Sequence, residues 1–208
     1  MLTAYMTEME VKMEVLLDGL NAFRYEDNIS NKFRRRVLKA TRFPVYSQIT
    51  YMSPRKNRWL IVREARNKKE VLDNCRITYA VTHDTPHGLY CVMLTWIDGD
   101  LQLVFYPPHF FSRFRTRMNL NETGIKLMFR FLQFNTGYVN KIDVNQNNNG
   151  KPSITIIGST HEGVSLGFIT EYQNVMFKTF ITYDMLKGQQ VETCFKNKEL
   201  LNEIHNKP

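Results

Sequence analysis

Cysteine is scarce in this chain of 208 residues. Three occur, Cys75, Cys91 and Cys194, far apart and odd in number. That excludes a disulfide framework and a paired-cysteine zinc site, and it fits a reducing compartment, the cytoplasm. Proline and glycine are sparse as well, so no low-complexity linker divides the chain and one domain is expected over 1–208. No uninterrupted apolar run approaches the ~20 residues that a membrane-spanning helix needs, so no membrane partner is expected. Glu8, Glu10 and Glu14 stand where a secretory leader would be basic and then apolar, which argues against such a leader. The chain also lacks a phosphate-cradling glycine loop, a G-x-S-x-G elbow and an H-E-x-x-H helix, which leaves nucleotide hydrolysis, serine hydrolysis and zinc proteolysis without support.

Negative charge is in deficit too: 28 Lys and Arg face 20 Asp and Glu, for a net charge of +8. The excess is local. Residues 1–29 hold 2 basic and 6 acidic side chains, residues 30–70 hold 13 and 2, and residues 109–151 hold 7 and 2. Clustered cations favour a polyanion, because neutralising phosphates releases counterions and the field steers encounter. Several cations neighbour rings, as in Phe33-Arg34, Arg42-Phe43 and Arg58-Trp59. Such pairs suit stacked bases beside bound phosphates, although rings also fill cores. Arg34, Arg35, Arg36, Lys39, Arg42, Arg55, Lys56 and Arg58 are therefore the expected nucleic-acid contacts. A solvated basic face with no ligand is the plainer alternative, and an acidic first helix paired with a basic second one would also reduce the exposed charge.

Periodicity predicts helices first and strands after. Met9, Met13, Leu16, Leu17, Leu20 and Phe23 recur at three- and four-residue steps, the pattern of a helix burying one face. Asn28 to Asn31 read as a break, after which Ser30 caps a second helix running to about Ala40. The helical region is expected over 1–45, with an irregular stretch between Pro44 and Pro54. β-branched and aromatic residues then predict strands at 59–64, 77–82, 89–96 and 101–106, the last two joined across Asp98-Gly99. Further strands are expected at 154–158, 164–171 and 175–183, with a polar loop over 145–152 and a short closing helix at 199–205. The class is α+β: an antiparallel sheet over 58–205 with helices on one face and an N-terminal helical region.

Between the two groups of strands a helix opens at Pro107-Pro108, where the missing N–H of proline is harmless. On that helix His109, Arg113 and Arg117 share a stripe within about 80°, beside an apolar face of Phe110, Phe111, Phe114 and Met118. An imidazole next to two guanidiniums suits metal-free RNA cleavage. The imidazole exchanges the proton of the 2′-hydroxyl or the leaving oxygen. The guanidiniums complement charge growing on phosphorus, where one well-placed donor is worth ~3 kcal/mol. Arginines that merely bind solvent give the same spacing. His161, in a turn, is a candidate second acid/base group. His83 and His87 flank Asp84 with spacing competent for zinc, but no third ligand is evident, so neither a metal nor a cofactor is expected.

The segment His109-Phe-Phe-Ser-Arg113-Phe-Arg-Thr-Arg117-Met118 resembles the H-x3-R-x3-R helix of small RelE-like and barnase–EndoU–colicin–RelE type ribonuclease toxins. In those families the helix precedes an antiparallel sheet whose late strand supplies a Ser or Thr and a Tyr, a place that Thr182-Tyr183 would fill here. The resemblance implies His109 as acid/base, Arg113 and Arg117 as transition-state ligands, and Thr182 or Tyr183 as supporting donors. It implies 2′,3′-cyclic phosphate products and an acidic protein inhibitor as partner. Two function classes thus stand side by side: an RNA-binding, metal-independent endoribonuclease, and a non-catalytic basic protein that binds nucleic acid or an acidic protein.

Overall fold

A computed structural model describes residues 1–71, 75–97, 100–136, 139–146, 152–187 and 190–206. The expected hairpin turn at Asp98-Gly99 and most of the 145–152 loop lie outside the described residues. The class is α+β. The chain divides into two compact units, Met1–Leu94 and Thr95–Pro208. Among the described residues no helix is long and apolar enough to cross a membrane.

The first unit opens with α1 (Glu8–Lys39), one helix of 32 residues rather than two. Thr7 and Glu10 start it with a reciprocal capping box, the Glu10 carboxylate accepting from the Thr7 N–H at 2.8 Å. The expected break at Asn28 to Asn31 does not occur. Ser30 turns its hydroxyl back onto the Asp27 carbonyl (2.8 Å), the bond by which a mid-helix serine satisfies itself without ending the helix. The face that α1 buries also differs from expectation. Val11, Glu14, Val15, Asp18, Ala22 and Glu26 point inward, while Met9, Met13, Leu16, Leu17 and Leu20 are exposed.

Four strands follow as an antiparallel meander: β1 (Val45–Met52), β2 (Arg58–Ala65), β3 (Arg76–Thr85) and β4 (Gly88–Ile97). The irregular stretch expected between Pro44 and Pro54 is instead largely β1, in continuous register with β2 from Val45↔Ala65 to Met52↔Arg58. From Ser47 its residues alternate between half-buried and exposed and none is fully buried, so no strongly apolar face marks it. The interior of β2 is buried throughout from Trp59 to Ala65, including Arg63 and Glu64.

In the second unit β5 (Asp100–Tyr106) leads into α2 (Pro108–Arg117) and α3 (Gly124–Phe134). Strands β6 (Val139–Gln146), β7 (Pro152–Ser159), β8 (Gly163–Ile169) and β9 (Val175–Thr182) then pair antiparallel in sequence, and β9 returns parallel to β5. Strand β6 was not expected, because its residues lack an apolar alternation. As the periodicity predicts, α2 buries Phe110, Phe111 and Phe114. Their rings meet Tyr106, Phe131 and Phe180 edge-on or tilted, at centroid distances of 4.9–6.3 Å. The closing helix α4 (Gln190–Asn206) is longer than expected and covers the other face of this sheet: its Cys194 packs with Ile157 and Val164, which alternate with residues facing α2.

Candidate nucleic-acid interface

The His109 stripe is only partly assembled as a site. His109 and Arg113 are exposed, one turn apart on a helix held rigid by its buried rings. Arg117 is half-buried and turns inward: its guanidinium donates to the Thr179 hydroxyl at 3.0 Å and to the Phe180 carbonyl. It ties the end of α2 to β9. Thr182 is half-buried opposite Gly163. Tyr183 faces away from α2. Phe180 meets the ring of Phe114, whereas Ile181 and Tyr183 belong to the cluster around Cys194 on the opposite face. The Tyr183 hydroxyl donates to the Thr160 carbonyl, and burial raises its pKa. The fold therefore does not bring Tyr183 together with His109 and Arg113.

His161 is exposed at the β7–β8 turn, a turn braced by its neighbour. The Glu162 carboxylate accepts from both terminal nitrogens of Arg130 and from Asn135 Nδ2 (2.7 Å). Asn135 Oδ1 in turn accepts from the Thr160 hydroxyl at 2.8 Å. The candidate metal residues do not assemble. His83 is buried, and its Nε2 lies 2.8 Å from the Thr3 carbonyl. A carbonyl only accepts, so that nitrogen carries the proton and offers no lone pair. Asp84 and His87 are exposed, and no group of three ligating side chains occurs among the described residues.

The basic stretch of the first unit is better placed. Arg34, Arg35, Arg36, Lys39, Arg42 and Lys56 are exposed, and Arg58 is half-buried. Arg55 is committed elsewhere: its Nε donates to Glu14 at 2.9 Å as part of an ion pair. Beneath the basic half of α1 lies a concavity of about 320 Å³ lined by Tyr25, Ile29, Lys32, Phe33, Arg36, Ser47, Ile49 and Arg63. The Arg36 guanidinium sits 5.5 Å from the centre of the Phe33 ring, and Arg63 lies 5.7 Å from the same ring. Tyr25 stacks on Tyr51 of β1 with centroids 4.0 Å apart, which fixes the wall. A second hollow of about 160 Å³, with Arg34 and Asn31 at its rim, lies on the other side of Phe33.

Arg63 joins the two hollows and is the electrostatic hinge of the region. It is buried, paired with Glu26, and donates to the Glu26 carbonyl at 2.7 Å, while its Nε has no hydrogen-bond partner. Burial raises the Glu26 carboxyl above its ordinary range, opposed by the Arg63 charge. Together they form a nearly neutral floor, and the positive field at the mouth comes from Lys32, Arg36 and their exposed neighbours. Among the described residues these surface cations form no ion pair with a carboxylate. Tyr25 and Lys32 were missed by the sequence reading. Tyr25, Ile29, Lys32, Phe33 and Arg36 recur as one helix face, a signal hidden by the break assumed at Asn28.

No protein-family model matches the chain, no curated protein matches its sequence, and no solved structure matches its fold.

Proposed function

We propose that this protein binds single-stranded RNA through the basic half of α1, without cleaving it. The observation that carries the reading is the concavity where Lys32 and Arg36 flank the rings of Tyr25 and Phe33. Cations at a mouth track phosphates, and the half-buried Tyr25 ring gives an unpaired base a surface to stack on, a contact worth ~1–3 kcal/mol per base, while the buried Phe33 ring forms the floor. Arg35, Lys39 and Arg42 extend the positive track along and beyond the helix, while Arg34 rims the second hollow. The free thiols Cys75, Cys91 and Cys194 suit a cytoplasmic setting.

Cleavage is the second reading, and one observation favours it: His109 and Arg113 are exposed a turn apart on a rigid helix. A toxin role with an acidic inhibitor belongs to that reading. Binding is preferred because Arg117 is spent on β9 and Tyr183 lies on the opposite face.

The test is binding and turnover of a labelled single-stranded RNA in EDTA. Binding is expected to weaken steeply with salt and to fall about tenfold or more in the Lys32→Ala/Arg36→Ala double variant, the loss of two phosphate contacts. His109→Ala is expected to bind as the wild type does. Salt-independent binding, or binding indifferent to Lys32 and Arg36, overturns the proposal. Cyclic-phosphate products that vanish in His109→Ala replace it with the nuclease.

A further inference from the structure

Helix α1 carries its apolar stripe on the outside. Met9, Met13, Leu16 and Leu20 follow the 4-3-4 step of a helix–helix seam, with Leu17 along its edge. All five are exposed, Leu17 and Leu20 at 57% and 58%. The reason lies on the opposite side of the helix, where Glu14 and Asp18 occupy the buried positions and dock α1 by hydrogen bonds from Arg55, Asn57, Ser53 and Trp59. About three turns of uncovered Met and Leu side chains are an unmet hydrophobic demand.

Charge says what meets it. Glu10 and Arg24 are both exposed and lie fourteen residues apart, on the same flank of the stripe, with Leu17 midway between them. A two-fold axis through Leu17 therefore sets Glu10 of one copy against Arg24 of the other. A parallel pair would instead oppose like charges. A membrane surface fits poorly, since such helices carry lysines and arginines along their flanks and residues 1–29 hold 2 basic against 6 acidic side chains.

We propose that the protein forms a homodimer through antiparallel pairing of α1 with α1 of a second copy, centred on Leu17. The seam residues end at Leu20 and the charge pair at Arg24, so the basic half of the helix stays free. The pairing stands independently of RNA binding.

Sedimentation of the full chain over a range of concentrations is the test. The wild type is expected to show a concentration-dependent monomer–dimer equilibrium. Leu17→Glu/Leu20→Glu is expected to weaken it by about thirtyfold or more, as loss of an interface centre does, with the circular dichroism of the monomer unchanged because both positions are exposed. Arg24→Glu is expected to weaken association, and Glu10→Gln, which keeps the capping-box acceptor while removing the charge, to weaken it less. Leu17→Cys is expected to form a disulfide-linked dimer on mild oxidation, and Leu38→Cys, exposed beyond the seam, is not. A wild type that sediments as a monomer at every soluble concentration overturns the proposal. So does a dimer indifferent to both the leucine and the charge variants.

Discussion

Two helices in this protein are held by opposite chemistry. In the second unit, α2 docks through Phe110, Phe111 and Phe114 onto a mesh of rings, leaving His109 and Arg113 outside. In the first, α1 docks through Glu14, Asp18 and Glu26 interleaved with the small apolar Val11, Val15 and Ala22, leaving methionines and leucines outside. The difference shows what a hydrophobic stripe means. It marks the face that seeks an apolar partner, and that partner is the protein's own sheet only when nothing stronger claims the opposite face. Buried carboxylates with a full set of donors are such a claim, because leaving one of those bonds unmade costs more than an exposed leucine does.

The largest effect expected from this contrast is on the aromatic side. Phe131 is fully buried and meets the rings of Tyr106, Phe110, Phe111, Phe114 and Phe180. Phe131→Ala is expected to cost about 4 kcal/mol, the transfer loss plus a cavity that rigid neighbouring rings cannot close. Chemical denaturation measures it. A loss below ~1.5 kcal/mol would mean that α2 is held by something other than the ring mesh.

On the polar side, Asp18 accepts from Ser53 (2.6 Å), Asn57 (2.7 Å), Trp59 Nε1 (2.8 Å) and Asn21 (2.9 Å). Asp18→Ala strands the buried donors and is expected to cost about 3 kcal/mol. The same substitution shifts the emission of Trp59, whose indole N–H loses its acceptor. Unchanged emission would mean that Trp59 finds another partner and that the carboxylate is dispensable.

How legible each helix was follows from the same contrast. The rings of α2 sit at helical spacing on a short segment, so its inner face could be read directly. Most strands were readable because Val, Ile and aromatic residues crowd them. Strands β1 and β6 escaped, since half-polar residues pair by backbone bonds that leave no mark in hydropathy. The inversion of α1 was hidden for a physical reason: a carboxylate's burial depends on Asn57, Ser53 and Trp59, some 40 residues away, and no local pattern announces them. The His109 stripe was correctly placed on one helix, but spacing could not show that Arg117 bonds to β9. The concavity beside Lys32 was obscured by the assumed break at Asn28.

Acid should separate the two modes of docking. The Arg55 guanidinium holds the Glu14 carboxyl down at about 2, against the opposing effect of burial and with help from the N-terminal amine and Asn57. For Asp18 burial pushes upward, but its hydrogen bonds outweigh it and the net shift is downward. A carboxyl depressed in the folded state stabilises above its unfolded value and loses that contribution as pH falls through the folded one. Glu26 has the opposite sign and opposes the trend. The first unit is therefore expected to loosen as pH falls from about 5 toward 2, followed by Trp59 emission, while the ring mesh around Phe131 contains no group that titrates there. Arg55→Ala is expected to move that midpoint upward. An acid transition indifferent to Arg55 would assign the pH response to other carboxyls.

The smallest effect bears on the continuity of α1, on which the concavity depends. Were Ser30 the cap of a second helix, its replacement by alanine would cost about 1 kcal/mol. In one continuous helix its hydroxyl merely bonds back to Asp27 on an exposed face, and alanine is the better helix former. Ser30→Ala is thus expected to change stability by less than about 0.5 kcal/mol, with helical circular dichroism equal or slightly raised. Loss of helical signal together with a full capping penalty would restore the break, and Lys32 would then no longer share a rigid face with Tyr25.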